Sequence, residues 1–425
     1  MRIGYLTSRY ITTQTGGAEA FLHNLAKGVA VRGHKAVIAA ASRGGAGDRA
    51  FVYGVERLNP LLVRLTFAAF GLGKLYLERL LGALQSKYKF DIWHVVIGYP
   101  LGAAAADFFN RNDIPCLLRC AGEDIQALPE IGYGYRLDLK AENIMKANYG
   151  KFDALIAPAD DMKKDYISLG AQEKKIFAIP NGVDCARFES GHGVKDARSE
   201  LGLDDTQRLI ITVGRNHPKK AFGCIPEIIK RLVKAGARFK WLLIGRGCSG
   251  IGALAEKEGV GEYLILKDIR PDVSSGGEPE IPDKRLVRYY KAADVFVFPT
   301  LMEFFAKVVI EAMAAGLPVV TTDAPGVDSI IRHEENGLKA KAGNIEGLTR
   351  AILRLLSDEG LANRLGGNAL RDSKQYDWEQ ITQKYMDLYN ALLNNKDAFQ
   401  PKAETFSKLN RKVSGTQSGD VFQVE

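Results

Sequence analysis

Cysteine is scarce in this chain of 425 residues: the five present (Cys116, Cys120, Cys185, Cys224, Cys248) are scattered, odd in number and form no Cys-x2-Cys pair. That argues against a zinc ribbon or a disulfide framework and suits a reducing, cytoplasmic compartment. The opening MRIGYLTSRY lacks the charged-then-apolar pattern of a secretory leader and reads instead as a first strand. No uncharged apolar run reaches the length of a membrane span. No Asp-x-Asp occurs anywhere, so a divalent metal bridge is not suggested. Zinc-finger, RNP-aromatic and helix-turn-helix patterns are missing too. A net charge of +8 and a pI near 9.0 therefore point to phosphates or acidic lipid, with no nucleic acid expected.

What is there is ordinary in bulk: 46% hydrophobic and 25% charged residues, in a chain long enough for two full cores. The first half alternates apolar strand-like runs with helical patterns, as in a parallel sheet covered on both faces. Residues 2–7, 35–41, 91–96, 115–119 and 153–157 read as its strands, the last of these closing the first domain. Gly16-Gly17 precede a helix over 18–31, where free N–H groups and the helix dipole make an anion site. Residues 189–207, polar and glycine-containing, read as a linker. A second domain opens with a strand at 209–213 followed by Gly214-Arg215-Asn216-His217-Pro218-Lys219-Lys220. A strand at 241–244 leads to Gly245-Arg246-Gly247-Cys248-Ser249-Gly250, a Gly-x-Gly-x-x-Gly with Asp268 at a later strand end. Alone, that is a nicotinamide-cofactor fingerprint. Residues 271–284 read as a loop, 378–393 as a last helix, and 395–425 as a disordered tail.

The stretch around which the rest is organised runs from Asp294 to Val320. A buried strand, Val295 to Phe298, passes through a turn into a helix from about Phe305 to Ala315, capped by Gly316 and stopped by Pro318. Glu303 and Glu311 stand across that turn. Glu311 lies among Val308, Val309, Ile310, Ala312 and Met313, so it reads as a buried carboxylate. Unpaired, it would cost several kcal/mol, so it has a fixed partner or awaits one. A ribose diol is a suitable partner; a buried Arg, or an exposed helix edge, is the plainer alternative.

Glu303-Phe304-Phe305-Ala306 with Glu311 resembles the Glu-x7-Glu signature of family 4 glycosyltransferases, which usually has Glu-Gly-Phe-Gly there. Three other phrases resemble the same family: TGGAEAF, the entry to a second domain around Pro180-Asn181-Gly182-Val183-Asp184, and Gly-Arg-x4-Lys at 214–220. The resemblance covers roughly residues 1–394. It implies an α/β fold of two Rossmann-like doubly wound domains facing across a cleft (the GT-B fold): a first, acceptor-side domain over 1–188, a donor domain over 189–372, and a helix at 373–394 crossing back.

It also implies a retaining hexosyl transfer, without metal or other cofactor, from a UDP- or GDP-sugar to a glycan or lipid-linked acceptor in surface polysaccharide or glycolipid synthesis. Glu303, Arg215 and Lys220 would be catalytic. The donor would meet Gly16, Gly17, Arg215, Lys220, Gly245, Glu303, Phe304, Phe305, Ala306 and Glu311, with Glu311 on the ribose and the two cations on the diphosphate. In Arg119-Cys120-Ala121-Gly122-Glu123-Asp124 the family's His-Gly-x-Asp turn keeps Gly122 and Asp124 but has Ala121 for the His; Arg119, Ala121 and Asp124 would face the acceptor. These departures keep open a non-catalytic sugar-nucleotide binder, and the fold alone leaves a sugar-nucleotide epimerase or phosphorylase. Residues 56–89, where leucines alternate with Arg57, Arg64, Lys74, Arg79, Lys87 and Lys89, suit either an anionic membrane surface or an ordinary core-packed helix with a basic outer face.

Overall fold

The computed structural model describes residues 1–10, 16–41, 51–189, 193–204, 206–269 and 280–394. The expected tail at 395–425 and most of the expected loop at 271–284 lie outside the described residues.

Two parallel sheets form the frame. The first holds β1 (Arg2–Thr7), β2 (Lys35–Ala40), β3 (Gly54–Arg57), β4 (Ile92–Val96), β5 (Cys116–Arg119), β6 (Ala154–Ala157) and β7 (Ile176–Ala178), in the order β3-β2-β1-β4-β5-β6-β7. The second holds β8 (Arg208–Val213), β9 (Phe239–Ile244), β10 (Leu264–Lys267), β11 (Val295–Phe298), β12 (Val319–Thr322) and β13 (Leu338–Ala340), ordered β10-β9-β8-β11-β12-β13. Runs such as VFVF and IWHVV are buried at every position, because helices cover both faces of each sheet. Chain order reverses between β1 and β4 and again between β8 and β11. Ligands of doubly wound sheets bind beyond the carboxyl ends of the strands at such switch points. This is the expected pair of Rossmann-like domains.

The sequence reading needs correction at several places. Strand β6 does not end the first sheet, since β7 pairs beyond it. With three residues, β7 is too short to display a period, as is β13. The polar segment 189–207 is not all linker: helix Val194–Glu200 lies within it and buries Ala197 in the second core. The central helix begins at Lys307 rather than Phe305, because Phe304 turns away into the core of the first domain.

The chain crosses between domains twice, side by side. Val183 N donates to Tyr376 O at 2.8 Å and Trp378 N to Val183 O at 3.1 Å. Helix Trp378–Asn394 then lies on helix Gly17–Val31, with Trp378 against Phe21 (5.8 Å between rings) and the Tyr389 hydroxyl 2.8 Å from His94 Nδ1.

Candidate active site

At the carboxyl end of β11 the chain turns through Thr300 to Glu303, and at the end of β8 through Gly214 to Lys220. The two turns are sewn together: Leu301 N donates to Lys219 O at 2.7 Å and Thr300 Oγ1 to the same oxygen at 3.0 Å. That brings Lys220 Nζ within 2.5 Å of Glu303 Oε1 and Lys219 Nζ within 3.4 Å of Oε2. Burial pushes the Glu303 carboxyl up, but Lys219 and Lys220 together outweigh it and hold Glu303 below the usual carboxylate range. The ammoniums respond oppositely. Burial lowers both; Glu303 and the Tyr133 hydroxyl overcome it at Lys219, whose affinity for its proton rises. At Lys220 the burial and the like charge of Lys219 prevail, and it falls. Lys219 carries no sequence signal beyond the Lys-Lys pair.

This cluster abuts the first domain. Gln126 Nε2 donates to Glu303 O at 2.9 Å, and Tyr133 Oη lies 3.4 Å from Lys219 Nζ. Gly16 and Gly17, after β1, open helix Gly17–Val31, and a Cβ on Gly16 would come within 2.5 Å of Glu19 Oε2. Glycine there lets the buried Glu19 carboxylate fold back on the helix start. Burial raises its pKa against the pull of its own amide, Arg9, Arg215 and Arg246, and Oε1 has no hydrogen-bond partner. Glu19 thus feels Arg215 and Arg246 of the second domain. One turn on, His23, lowered to about 3 by burial with Lys27 and Lys307 adding, feels the start of the Glu311 helix. The first two turns of helix Gly17–Val31 therefore lie near the loops after β8 and β9 and near the start of the Glu311 helix. Arg215 is exposed, Lys220 half-buried and Glu311 buried.

Glu311 has fixed partners: Lys307 Nζ at 3.0 Å from Oε1 and the Tyr290 hydroxyl at 3.1 Å from Oε2. Each oxygen keeps a second lone pair for another donor. The Phe304–Ala306 turn replaces the family's glycines without left-handed backbone; neither residue has positive φ. Glu303 N donates to Pro325 O at 2.9 Å and Ala306 N to Gly326 O at 3.1 Å, so those two amides are committed within the domain. Phe304 fills the first domain's core and Phe305 packs on Tyr376 at 5.9 Å.

Gly245, at φ +149°, would drive a Cβ to 2.0 Å from Gly214 O. The Gly-x-Gly-x-x-Gly segment thus lets the β8 and β9 loops touch. The residues expected on the acceptor side make mostly structural contacts. Arg119 is buried, stacked 3.8 Å over Phe21 and bonded to Asn181 Oδ1. Asp124 accepts from the amides of Gly98 (2.5 Å), Ala121 (2.8 Å) and Gly122 (3.0 Å), while burial raises its pKa. Ala121 is half-buried beside that turn. A surface concavity of about 560 Å³, lined by Arg2, Lys89, Asp91, Asn112 and Pro115, lies at the opposite, amino ends of the first sheet; the switch-point rule does not favour it.

Residues 15–187 match the family described as Glycosyltransferase Family 4, and residues 194–372 match Glycosyl transferases group 1. Among curated relatives, a D-inositol 3-phosphate glycosyltransferase of Nocardia farcinica is 28% identical over 57% of this chain and 53% of its own length. One of the same description from Rhodococcus jostii is 30% identical over 54% and 50%. The chain spans about half the length of the curated relatives it matches. Solved structures share the fold. A glycosyltransferase from Rickettsia africae has TM-score 0.76 at 16% identity, covering 93% of this chain and 99% of that one. Anabaena HepE, crystallised with UDP and glucose, has TM-score 0.73 at 18% identity, covering 92% and 100%. With two switch-point loops meeting on Glu303 and both halves matched, the chain belongs to the family 4 glycosyltransferases of GT-B fold.

Proposed function

We propose that this protein transfers a hexosyl unit, with retention and without a metal, from a nucleoside-diphosphate sugar to a glycan or lipid-linked acceptor. The observation that carries the reading is the convergence of Lys220 and Lys219 on buried Glu303 at the end of β11, beside Arg215. Fixed cations can offset charge growing on a departing diphosphate, and a carboxylate held ionised accepts from a donor-sugar hydroxyl. Glu311 has lone pairs left for a ribose. UDP-glucose is the first donor to test, since HepE has also been crystallised with it. In front-face transfer the C1–O bond to the diphosphate breaks as the acceptor oxygen bonds C1 from the same side. The acceptor proton passes to the leaving phosphate oxygen, so no separate base is required. Arg119 and Asp124 then act behind the site, as supports rather than acceptor ligands.

The exposed apolar side chains of helices Leu61–Ala68 and Phe70–Tyr88 favour an acceptor presented at an anionic membrane, with the protein peripheral on its cytoplasmic face. Phe67 joins that surface to the cleft side, 5.3 Å from Tyr99 and 5.4 Å from Tyr135. A second acceptor reading, a cyclitol phosphate, is favoured by the relatives' description as D-inositol 3-phosphate glycosyltransferases.

The test is release of nucleoside diphosphate from a panel of UDP-, GDP- and ADP-sugars, with and without EDTA. Turnover on one base, undiminished by EDTA and reduced about 10²–10³-fold in Arg215→Ala or Lys220→Ala, is expected. Tight nucleotide binding without turnover on any donor and acceptor would replace this reading with a non-catalytic binder.

A further inference from the structure

One lysine is enough to neutralise one carboxylate, yet two ammoniums meet Glu303. Their side chains and that of Glu303 are 11%, 14% and 9% exposed, so the surplus charge is held in a poorly solvated place. The two lysines are anchored differently. Lys219 is gripped on both sides: its Nζ stands 3.4 Å from Tyr133 Oη and 4.8 Å from that ring's centre, and its carbonyl takes two hydrogen bonds from the β11 turn. Lys220 rests 4.7 Å over the Phe298 ring, and Glu303 Oε1 is the one oxygen bonded to its ammonium among the described residues. Lys220 is thus free to leave when a stronger anion arrives, and Lys219 is not.

We infer that Lys219 is a positioning residue: it keeps Glu303 charged and in place once Lys220 moves from Glu303 to the diphosphate of the donor. The inference rests on the donor reading above. A diphosphate offers Lys220 more charge than a carboxylate already shared with a second lysine. Once Lys220 has gone, Glu303 would be a buried carboxylate beside phosphate negative charge. Both conditions favour taking up a proton, and a protonated Glu303 would lose acceptor capacity toward a sugar hydroxyl. Lys219, already on the other oxygen, prevents this. Because Tyr133 belongs to the first domain, the lysine that stays is also the one fixed across the cleft.

The exchange can be read without turnover, by titrating UDP (and GDP) into the full-length protein calorimetrically in buffers of different ionisation enthalpy, which counts protons bound with the nucleotide. Wild type and Lys219→Arg should take up the same number at pH 7. Lys219→Met should take up an additional 0.5–1 proton, roughly, per nucleotide, and Lys219→Met with Glu303→Gln should lose that excess. Lys219→Gln serves as a second neutral variant should the methionine lower expression. Equal proton counts in wild type and Lys219→Met, with binding intact, would overturn the inference, as would an excess that persists without Glu303. A tenfold or greater loss of UDP affinity in Lys219→Met with no change in proton count would make Lys219 a phosphate ligand instead. No binding of either nucleotide by wild type would sink the donor reading itself, and with it the trigger for the exchange.

Discussion

Ala221 closes the short turn Pro218–Lys220 in left-handed backbone, at φ +52° and ψ +30°. A Cβ in that region costs on the order of 1–2 kcal/mol, and here it is spent at the turn that aims Lys219 and Lys220. Glycine would remove the strain but add about 0.4–1 kcal/mol of unfolded-chain entropy. Ala221→Gly should therefore stabilise the protein by about 0.5–1 kcal/mol, read as a higher urea midpoint with unchanged slope. A lower midpoint would mean that the turn carries no such strain. At this scale sequence and structure part company over Lys219. Lys220 fitted a spaced motif, but its neighbour is held by Tyr133, 86 residues away. Glu311 was legible as a buried carboxylate from its apolar neighbours. Its partner Tyr290, 21 residues earlier, was not.

Among elements, helix Trp378–Asn394 shows how a local pattern acquires a distant duty. Its amphipathic spacing announced a helix. That its Tyr389 bonds the buried His94 of β4 depends on the chain returning to the first sheet. Burial, with Arg119 nearby, holds His94 well below its ordinary value, and His23 is lowered to about 3. Both rings are neutral when folded and titrate near 6.5 when unfolded, so their stabilisation is complete above pH 6.5 and is lost as pH falls below it. Each histidine should cost about 1.4 kcal/mol per pH unit in that acid range. The thermal midpoint should drop steeply from pH 6.5 to 5. In His94→Gln, less stable at pH 7.5, the drop should be distinctly shallower; an equally steep one would refute the assignment.

Over the whole molecule, one surface is out of keeping with its surroundings. Leu61, Leu72 and Leu75 are each 60% or more exposed, and Leu65, Phe67 and Tyr76 are also exposed. The basic residues flanking them are partly engaged: Lys74 pairs with Asp107 and Lys87 with Glu56, while Arg57 lies over the Tyr10 ring. The apolar stripe, more than the charge, should therefore govern membrane affinity. Among the described residues no helix is long and apolar enough to cross a membrane. Flotation with vesicles containing anionic lipid should carry the protein up. Leu61→Ser, Leu72→Ser and Leu75→Ser combined should abolish this, whereas Lys74→Ala should weaken it less than threefold. Unchanged flotation of the triple variant would remove the membrane reading and leave donor chemistry untouched.

By itself, the sequence determined that two parallel sheets would form, where their long strands lie, and which strand-ending loops carry Arg215, Lys220, Glu303 and Glu311. Periodicity and turn chemistry are local, and each can be read over a few residues. Tertiary structure alone decided that Phe304 would plug the opposite domain, that Arg119 and Asp124 would be buried and hydrogen-bonded within the first domain, and that two lysines would share one carboxylate. Those outcomes depend on which loops the crossovers bring together, and on the price a buried charge exacts when its nearest partner is distant in the chain.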